Sequence, residues 1–536
     1  MMQLTSQISI ESDSFKNNRE DMLALLDLVR SAEDKVKVNS NRRKTEFKRR
    51  NQLLPRERVQ LLLDFGSPFL ELSTLAGLGM HGDDGHATAS GGATITGVGV
   101  VQGVNCVIVA HDSGIKGGAI TPMGMRKQLR AQTIALENKL PLIYLVESAG
   151  GSMALQSDTF VDGGGMFRNQ AKLSAAGVPQ ISVVHGSSTA GGAYVPGLSD
   201  YLIMVEGRAK VFLAGPPLLK AATGEDATDE DLGGAKMHAT ISGVADYVAC
   251  DDEDAIGIAR EIVRNLSWPR IRMPGNFEDP LFDIDQLAGV VPVDFRKSYD
   301  VREVVARLVD GSRFLEFKAN YGPAIVCGQA HIMGMPVAII GNNGPIDADC
   351  ACKAAQFIQL MCQIGTPIIY LQNITGYMVG IHAERQGIVK HGAKMIQAVA
   401  NATVPQITLH IGASFGAGHY GMCGRAFDPR FVFSWPNNRI AVMGGEQAAR
   451  VMTIVAEERG RRLGKPVDLL ELERSEEQLI KQFQEESTAL FATAKLWDDG
   501  IIDPRDSRKV LGLCLAICNS AEKIQTHSNT FGVARL

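Results

Sequence analysis

The amino-acid sequence predicts an α/β protein made of two similar domains in tandem, each with a largely parallel sheet covered by helices. Two observations carry this prediction. One segment of the chain recurs further along it, and short apolar runs alternate with longer stretches of helical composition. The length of 536 residues agrees with two domains, because a single hydrophobic core stops growing near about 250–300 residues.

The repeat is visible at one constant spacing. The matching positions lie 226 residues apart, and they are Pro141–Leu145 with Pro367–Leu371, Val178–Ile181 with Val404–Ile407, Lys127 with Lys353, Gly186 with Gly412, Ser188 with Ser414, Gly192 with Gly418, and Tyr194 with Tyr420. Self-similarity at a fixed period is the signature of a duplicated structural unit. Because the shift holds without gaps from position 127 to 194, we expect two copies of one fold.

Within the first copy, apolar runs at 107–110, 142–146 and 180–184 have strand composition, and Met125–Lys139 has helical composition. Fully apolar strands separated by crossover helices are typical of parallel sheets. The sequence therefore predicts strand–helix–strand units in both copies.

The domain boundary is predicted near residue 275, because Pro269, Pro274 and Pro280 interrupt both helix and strand there. This gives an amino-terminal domain over 61–275 and a carboxy-terminal domain over 276–536. Residues 1–60 are highly charged, with helical spacing of Met22, Leu26 and Val29, and they predict peripheral helices.

Composition excludes several classes of function. Lys and Arg number 54 against 59 Asp and Glu, a net charge of −5, so no global positive field attracts nucleic acid or an anionic membrane. No apolar run approaches the ~18–20 residues that span a bilayer, and no signal-like segment begins the chain, so a cytoplasmic location is expected. The nine cysteines lack the spacing of a disulfide framework or a zinc site, and we expect no metal.

A serine hydrolase is one hypothesis, because Gly412–Gly416 matches the G-x-S-x-G pattern with Ser414 as the nucleophile. Such an enzyme also needs a histidine and a carboxylate, and the histidines after Ser414 are His419 and His527. The corresponding Gly186–Ala190 segment has the same strand-to-glycine turn. What both copies share is therefore a glycine-rich backbone at the end of a strand.

Such a backbone can act as an oxyanion hole, since small residues between a strand and a helix expose peptide N–H groups. The candidate donors are Gly191 and Gly192 in the first copy, and Ala417 and Gly418 in the second. The alternative is that helix–strand packing simply requires small residues there. The presence of the same turn in both copies favours catalysis.

Several motifs resemble the carboxyltransferase β subunits of biotin-dependent acyl-CoA carboxylases, and the resemblance covers nearly the whole chain. They are Leu54–Arg58, Ser188–Tyr194, Phe212–Pro217, Gln372–Gly376, Gly418–Gly424, Trp435–Asn437, Val442–Gln447 and Trp497–Gly500. The resemblance implies two crotonase-type domains.

The resemblance also implies roles for the two turns. The amino-terminal half would bind the acyl-CoA, with Ala190 at its site and the thioester enolate held by the N–H groups of Gly191 and Gly192. The carboxy-terminal half would receive carboxybiotin, whose ureido oxygen would be held by Ala417 and Gly418. Phe415, Gly416 and Tyr420 would lie beside the biotin.

CoA carries several negative charges, and Lys116, Lys127 and Arg130 precede the first glycine-rich strand as candidate partners. The alternative is an ordinary solvated helix face, since Lys353 repeats Lys127 in the half that should not bind the phosphates. Asn342, Asn343 and Gly344 begin the matching loop of the second half and are candidates for shaping the acyl pocket.

The resemblance implies a partner subunit, because the chain has no Met-Lys-Met biotinylation signature and nothing similar to a biotin carboxylase. A biotin carboxylase and biotin carrier α subunit would supply both functions, so that no cofactor is covalently bound to this chain. A homo-oligomeric β core, most simply a hexamer in an α6β6 holoenzyme, is expected.

The favoured substrate is geranyl-CoA. Methylcrotonyl-CoA carboxylases tend to have a phenylalanine at the position of Gly163, and an apolar pocket without that ring admits a longer chain. The geranyl-CoA branch also resembles this chain at Val184–Ser187, Gly197–Tyr201 and Phe531–Arg535. The alternative is 3-methylcrotonyl-CoA, although His419 stands where that branch typically has asparagine.

Overall fold

The structure is a computed structural model that describes residues 2–80, 90–270, 275–464 and 469–533. Residues 271–274, directly before the predicted boundary, lie outside the described residues. The chain divides into two units. The first comprises Arg30–Arg272, Ala494–Leu496 and Ala516–Leu536, and the second comprises Met1–Val29, Met273–Thr493 and Trp497–Leu515. The two ends of the chain thus join units formed mainly by the opposite half.

Short, mostly buried strands build one sheet in each unit. Their bounds are β1 (Met2–Gln3), β2 (Phe69–Leu72), β3 (Thr94–Val101), β4 (Val104–His111), β5 (Leu142–Ser148), β6 (Gln180–Thr189), β7 (Tyr201–Val205), β8 (Lys210–Phe212), β9 (Tyr247–Ala249), β10 (Arg313–Phe317), β11 (Ile325–Ile332), β12 (Met335–Asn342), β13 (Ile368–Ile374), β14 (Gln406–Phe415), β15 (Phe431–Ser434) and β16 (Arg439–Ala441).

Helices follow most of the parallel strands. Their bounds are α1 (Asp13–Asn41), α2 (Lys44–Arg49), α3 (Pro55–Leu62), α4 (Pro122–Glu137), α5 (Gln156–Ala175), α6 (Tyr194–Leu198), α7 (Pro216–Thr223), α8 (Asp229–Gly233), α9 (Ala235–Met237), α10 (Asp252–Asn265), α11 (Leu287–Val290), α12 (Val301–Leu308), α13 (Ala348–Ile364), α14 (Ile381–Arg385), α15 (Ile388–Ala400), α16 (Gly416–Gly421), α17 (Gly445–Leu463), α18 (Leu469–Glu486), α19 (Ala489–Ala494) and α20 (Ser507–Ala521). No helix in the described ranges combines the length and apolarity needed to cross a bilayer.

The two sheets share a common set of strands, to which the first adds β9 beside β7 and the second adds β1 beside β10. The first unit has the order β2-β3-β4-β5-β6-β7-β9, with β8 paired to β6, and the second has β1-β10-β11-β12-β13-β14-β15, with β16 paired to β14. In each sheet an antiparallel three-stranded meander leads into parallel strands. The sheets are therefore mixed, and the parallel part is the one that the apolar strand pattern predicts. The inner meander strands β3, β4, β11 and β12 are also largely buried, so burial pattern alone does not distinguish the two directions.

The duplication extends to an irregularity in the sheet. The pairing of β5 with β6 shifts register between Val146 and Ser148, and the pairing of β13 with β14 shifts between Gln372 and Ile374. These positions are again 226 residues apart. A bulge at the same place in both copies re-aims the ends of the central strands in the same way.

A buried lysine links a helix to the meander in each unit. Lys127 of α4 donates from Nζ to the carbonyls of Thr94 at 2.6 Å and Gly91 at 3.2 Å, where β3 begins. Lys353 of α13 donates to the carbonyl of Ile325 at 2.8 Å, where β11 begins. Burial lowers the pKa of Lys127 to about 8. Each lysine therefore joins its helix to the meander of its own sheet.

We expect Lys127→Met and Lys353→Met each to lower the free energy of unfolding by about 1.5–3 kcal/mol, because buried carbonyls lose a charged hydrogen-bond donor. Urea denaturation of the full chain measures the loss. Lys116→Met is the matched control, since Lys116 is exposed, and it should stay within about 0.5 kcal/mol of wild type. Wild-type stability of both buried variants would contradict the structural role.

Candidate active site

Each unit has a tight turn at the carboxyl end of its central strand. In the first, β6 ends at Thr189, Ala190 adopts a left-handed φ of +54°, and a 3-10 helix over Ala190–Ala193 leads into α6. In the second, β14 ends at Phe415, Gly416 has φ +56°, and α16 begins directly. The two left-handed residues occupy corresponding positions of the repeat.

The predicted backbone donors lie directly after these left-handed residues. Gly191 and Ala417 are exposed, whereas Gly192 and Gly418 are buried. The first N–H groups of a helix have no acceptor within the helix, and they attract negative charge. Both turns thus present backbone donors at the edge of a sheet, with the same alternation of exposed and buried residues.

Each turn packs against the loop that follows the neighbouring strand. A Cβ atom on Gly192 would lie 3.9 Å from Gly150 Cα, and one on Gly418 would lie 3.1 Å from Gly376 Cα and 2.6 Å from Ile374 Cγ1. The amide of Ile120 donates to the carbonyl of Gly150 at 2.9 Å. Loops after three adjacent strands therefore meet at the turn. Gly150 was missed in the sequence, although the repeat pairs it with Gly376.

The two turns differ in the side chain that packs against the glycine four residues before the left-handed residue. A Cβ on Gly186 would lie 2.8 Å from the side chain of Glu147, and one on Gly412 would lie 2.3 Å from Oδ1 of Asn373. Glu147 and Asn373 also correspond in the repeat. The first unit therefore places a carboxylate where the second places an amide.

A buried ionic cluster surrounds Glu147. Arg58, which is 1% exposed, lies 2.6 Å from the Glu147 carboxylate and 3.4 Å from Asp252, and His185 Nδ1 lies 2.9 Å from Asp252 Oδ1. Burial raises the pKa of Glu147, but Arg58 outweighs it and holds the pKa below its ordinary value. Burial also lowers the pKa of His185 to about 4. Removing one member of such a cluster would leave an uncompensated buried charge.

In the second unit, amides connect the carboxyl ends of three strands. Asn342 donates to the carbonyl of Asn373 and accepts from the amide of Asn373 at 3.1 Å, and Asn373 Oδ1 accepts from the amide of Ala413 at 3.0 Å. Asn343 accepts from the amide of Val301 at 2.7 Å, which caps α12. Asn342 thus holds the strand ends, Asn343 holds the start of α12, and Gly344 follows them in a half-buried turn.

Gly163 lies on the face of α5 that approaches the first turn. Phe167 is one helical turn further along the same face, and its ring lies 3.9 Å from the Cβ position of Gly191. The Phe167 and Tyr194 rings are 5.3 Å apart between centroids. The nearest atom to a Cβ on Gly163 is Met125 Cε at 3.7 Å, so a side chain can be accommodated. Gly163 and Gly191 therefore both lie close to Phe167.

The three cationic residues that the sequence predicts at the CoA site differ in their exposure to solvent. Lys116 is exposed on the loop after β4, and this loop contacts the next one through the amide of Ala149 and the carbonyl of Gly117 at 3.2 Å. Lys127 and Arg130 are buried in α4, at 2% and 7% exposure. The prediction that Lys127 contacts CoA phosphates is corrected, because its ammonium is engaged by backbone carbonyls inside the fold. Arg130 is buried as well, so its position does not support a contact with CoA phosphates.

Beside the second turn, Phe415 is buried and its ring lies edge-on to Phe295, with centroids 5.2 Å apart. Tyr420 is 45% exposed and stacks on Phe427 at 6.0 Å. The predicted biotin-side residues therefore form one buried and one accessible aromatic group on either side of Gly416–Gly418.

The hydrolase hypothesis depends on Ser414, whose hydroxyl lies 2.7 Å from His419 Nδ1. Gln372 donates from Nε2 to the carbonyls of Met422 and His419, so its Oε1 is the acceptor for the Ser414 hydroxyl. A hydroxyl has one proton, so Ser414 must accept from Nδ1–H of His419. The imidazole thus donates to Ser414 and cannot remove its proton. Ser414 is also 1% exposed, so the hydrolase reading is not supported.

Comparison with known proteins gives consistent matches over nearly the whole chain. Residues 47–533 match the family described as the carboxyl transferase domain. A Dictyostelium discoideum protein named methylcrotonoyl-CoA carboxylase beta chain, mitochondrial, is 48% identical, and the match covers 99% of this chain and 91% of that protein. A Mycobacterium tuberculosis protein named probable biotin-dependent acyl-coenzyme A carboxylase beta2 subunit is 51% identical, with 91% of each covered.

A solved structure is similar as well. The crystal structure of the P. aeruginosa geranyl-CoA carboxylase beta subunit is 51% identical to this chain, covers all of both chains and has a TM-score of 0.94. At that similarity the two-sheet architecture and the repeated turns belong to a shared fold.

We expect Gly418→Ala to destabilise the protein by about 1–3 kcal/mol, because an added methyl would overlap its packed neighbours. Its Cβ would lie 2.6 Å from Ile374 Cγ1, whereas the Cβ of Gly192→Ala would be 3.7 Å from its nearest neighbour, Ser188 Oγ. Thermal unfolding of the two variants should therefore show a lower midpoint for Gly418→Ala alone. Equal losses would contradict the asymmetry in packing.

We also expect His419 to make stability dependent on pH. Burial lowers the pKa of His419 to about 4, against about 6.5 in an unfolded chain. As the pH falls from about 6.5 towards 4, the unfolded chain therefore binds a proton that the folded protein does not. Stability is full above this window and decreases within it, by up to about 1.4 kcal/mol per pH unit.

Urea midpoints of wild type and His419→Asn between pH 5 and 7.5 measure this effect. The slope against pH should be shallower in the variant, while the buried histidines His111, His185, His238 and His410 remain in both proteins. Parallel slopes would show that His419 is protonated equally in the folded and unfolded states.

Proposed function

The chain belongs to the carboxyl transferase domain family, and we propose that it moves CO2 from carboxybiotin to the γ-carbon of a β-methyl-α,β-unsaturated acyl-CoA, with geranyl-CoA favoured. It is the carboxyltransferase β subunit of a biotin-dependent acyl-CoA carboxylase. Carboxybiotin arrives on a partner subunit and supplies the carboxyl group. The observation that carries the proposal is the pair of equivalent turns, one for each reaction partner.

The first turn serves the acyl-CoA. Loss of a proton from the γ-carbon creates a dienolate, whose negative charge spreads through the double bond onto the thioester oxygen. Gly191 and Gly192 offer that oxygen preorganised N–H donors after the left-handed Ala190. A donor of this kind contributes about 2.7–4 kcal/mol to transition-state stabilisation.

The second turn serves the biotin. The N–H groups of Ala417 and Gly418 would hold the ureido oxygen, with Phe415 and Tyr420 on either side. The residues present fit this group, because Ala417 is exposed directly after the left-handed Gly416. Tyr420 offers an accessible aromatic face next to the turn.

Geranyl-CoA is favoured over 3-methylcrotonyl-CoA because of Gly163. This glycine shares a helix face with Phe167, which approaches the acyl-side turn. It leaves free the space that a phenylalanine ring would fill, and the nearest atom to its Cβ position is the flexible end of Met125, at 3.7 Å. A geranyl chain is longer than a methylcrotonyl group and needs that space. The methylcrotonyl alternative also fits the relatives, since beta subunits of both named activities are similar to this chain.

Other parts of the proposal concern residues and assembly. Lys116 stays a candidate for CoA phosphates because it is exposed on a loop next to the first turn. Asn342, Asn343 and Gly344 would act on the acyl pocket indirectly, by holding strand ends.

The domain division at residue 275 is supported by the change of unit between Arg272 and Met273. A hexameric β core in an α6β6 holoenzyme and a cytoplasmic location remain proposals, and two relatives are named as mitochondrial.

The test is fixation of labelled bicarbonate by the chain assembled with its biotinylated partner, with geranyl-CoA and 3-methylcrotonyl-CoA compared. We expect wild type to carboxylate geranyl-CoA. We expect Gly163→Phe to lose geranyl-CoA activity by tenfold or more while keeping 3-methylcrotonyl-CoA activity, because a ring in the pocket rejects the larger group sterically; a few kcal/mol of exclusion is about 10–200-fold.

Gly164→Phe is the matched control. It adds the same ring to the same helix one position further along, where an added Cβ atom meets no atom within 4 Å. It should leave the preference unchanged. Wild type that accepts only 3-methylcrotonyl-CoA would retain the carboxyltransferase and refute the role of Gly163, and wild type that carboxylates neither would refute the proposed function.

A further inference from the structure

The two turns are held by the same serine in different ways. In the first unit, Ser188 donates from Oγ directly to the carbonyl of Gly192 at 2.9 Å. In the second, the corresponding Ser414 donates to Gln372 and accepts from His419. The second turn therefore depends on a side-chain relay that the first turn lacks.

The hydrogen bonds of the relay all have the same donor-to-acceptor direction. The amide group of Gln372 in β13 is oriented by two backbone carbonyls, those of Met422 and His419. This orientation makes Oε1 the acceptor for Ser414, and Ser414 in turn the acceptor for His419. The relay thus runs from His419 on α16, through Ser414 on β14, to Gln372 on β13, and it closes on the backbone of His419 itself.

The ring of His419 is confined on its other side by Gly424. A Cβ atom at that position would lie 2.1 Å from His419 Nε2, and the amide of Gly424 donates to the carbonyl of His419 at 2.9 Å. The ring centroid also lies 5.5 Å from that of the buried His410. The imidazole is therefore half-buried, and its Nδ1 hydrogen bond to Ser414 sets the orientation of the ring.

We infer that His419 is a positioning residue for the biotin-side turn, acting through Ser414 and Gln372, and this inference rests on the proposed function. His419 directly follows Gly418, so fixing its side chain restrains the Gly418–His419 peptide, which is next to the peptide that carries the N–H of Gly418. Both strands that border the turn contribute a member of the relay. Without the relay, the N–H groups of Ala417 and Gly418 lose their fixed direction.

The chemistry of the relay selects the informative variants. His419→Asn keeps an N–H donor that can reach Ser414, whereas His419→Phe keeps the ring and removes the donor. Ser414→Ala removes the middle member. Ser188→Ala is the matched control, because it removes the corresponding hydroxyl from the acyl-side turn.

The experiment uses the full chain without its partner and follows the reverse reaction, in which a carboxylated acyl-CoA transfers its carboxyl group to free biotin. The C–C bond at the γ-carbon breaks, a bond to the ureido nitrogen forms, and the proton of that nitrogen goes to the γ-carbon. Free biotin and the carboxylated acyl-CoA are varied separately, so that kcat and both KM values are measured.

We expect His419→Phe and Ser414→Ala each to lower kcat/KM for free biotin by about tenfold to a hundredfold, since a misplaced donor group costs rates of that order. The KM for the carboxylated acyl-CoA should change less than about twofold, and the double variant should lose little more than either single one, because the members act as one unit. His419→Asn should restore most of the activity. Ser188→Ala should instead change the kinetic parameters for the carboxylated acyl-CoA more than those for free biotin.

The inference is overturned if His419→Asn is as impaired as His419→Phe while both unfold at the wild-type temperature. It is also overturned if His419→Phe changes the KM for the carboxylated acyl-CoA instead of the biotin parameters. A wild-type chain that transfers nothing between these substrates would contradict the proposed function itself, which is a separate outcome.

Discussion

The architecture of both sites depends on one backbone constraint, a left-handed residue immediately after the central strand of each sheet. Ala190 and Gly416 have φ near +55°, a conformation that is uncommon for residues other than glycine and costs alanine about 1 kcal/mol or more. The reversal lets the chain leave the sheet and start a helix within one or two residues. The first N–H groups of that helix then lie at the sheet edge.

The surrounding structure holds this reversal in place. The central strand pairs with one neighbour along its first half and with another along its last three residues, so that β6 passes from β7 to β8 and β14 from β15 to β16. Glycines next to the turn allow the adjacent strand and loop to approach within contact distance. Close packing of this kind transmits strain, and it explains how a short turn keeps one conformation.

The two copies share the backbone and differ in the chemistry beneath it. The first turn rests on a buried ionic cluster around Glu147 and Arg58, whereas the second rests on amides, a serine and a neutral histidine. Burial explains the shifted pKa values on both sides, because it disfavours the charged form of each histidine. A duplicated fold thus presents two similar backbone turns in two different chemical surroundings, as the two proposed ligands require.

The sequence by itself determined the duplication, the alternation of strands and helices, and the positions of both turns, because these follow from local patterns and a constant spacing of 226 residues. Gly191, Gly192, Ala417 and Gly418 could be named as candidate backbone donors for the same reason, since a backbone donor depends on local conformation.

Only the tertiary structure decided what the side chains do. Lys127 has the sequence pattern of a phosphate-binding lysine, yet it is buried against carbonyls of a strand more than thirty residues away. Ser414 matches a nucleophile pattern, yet its hydroxyl donates its hydrogen bond to Gln372, 42 positions earlier. Burial and hydrogen-bond direction are set by residues that are distant in the chain and adjacent in the fold, and no local pattern contains that information.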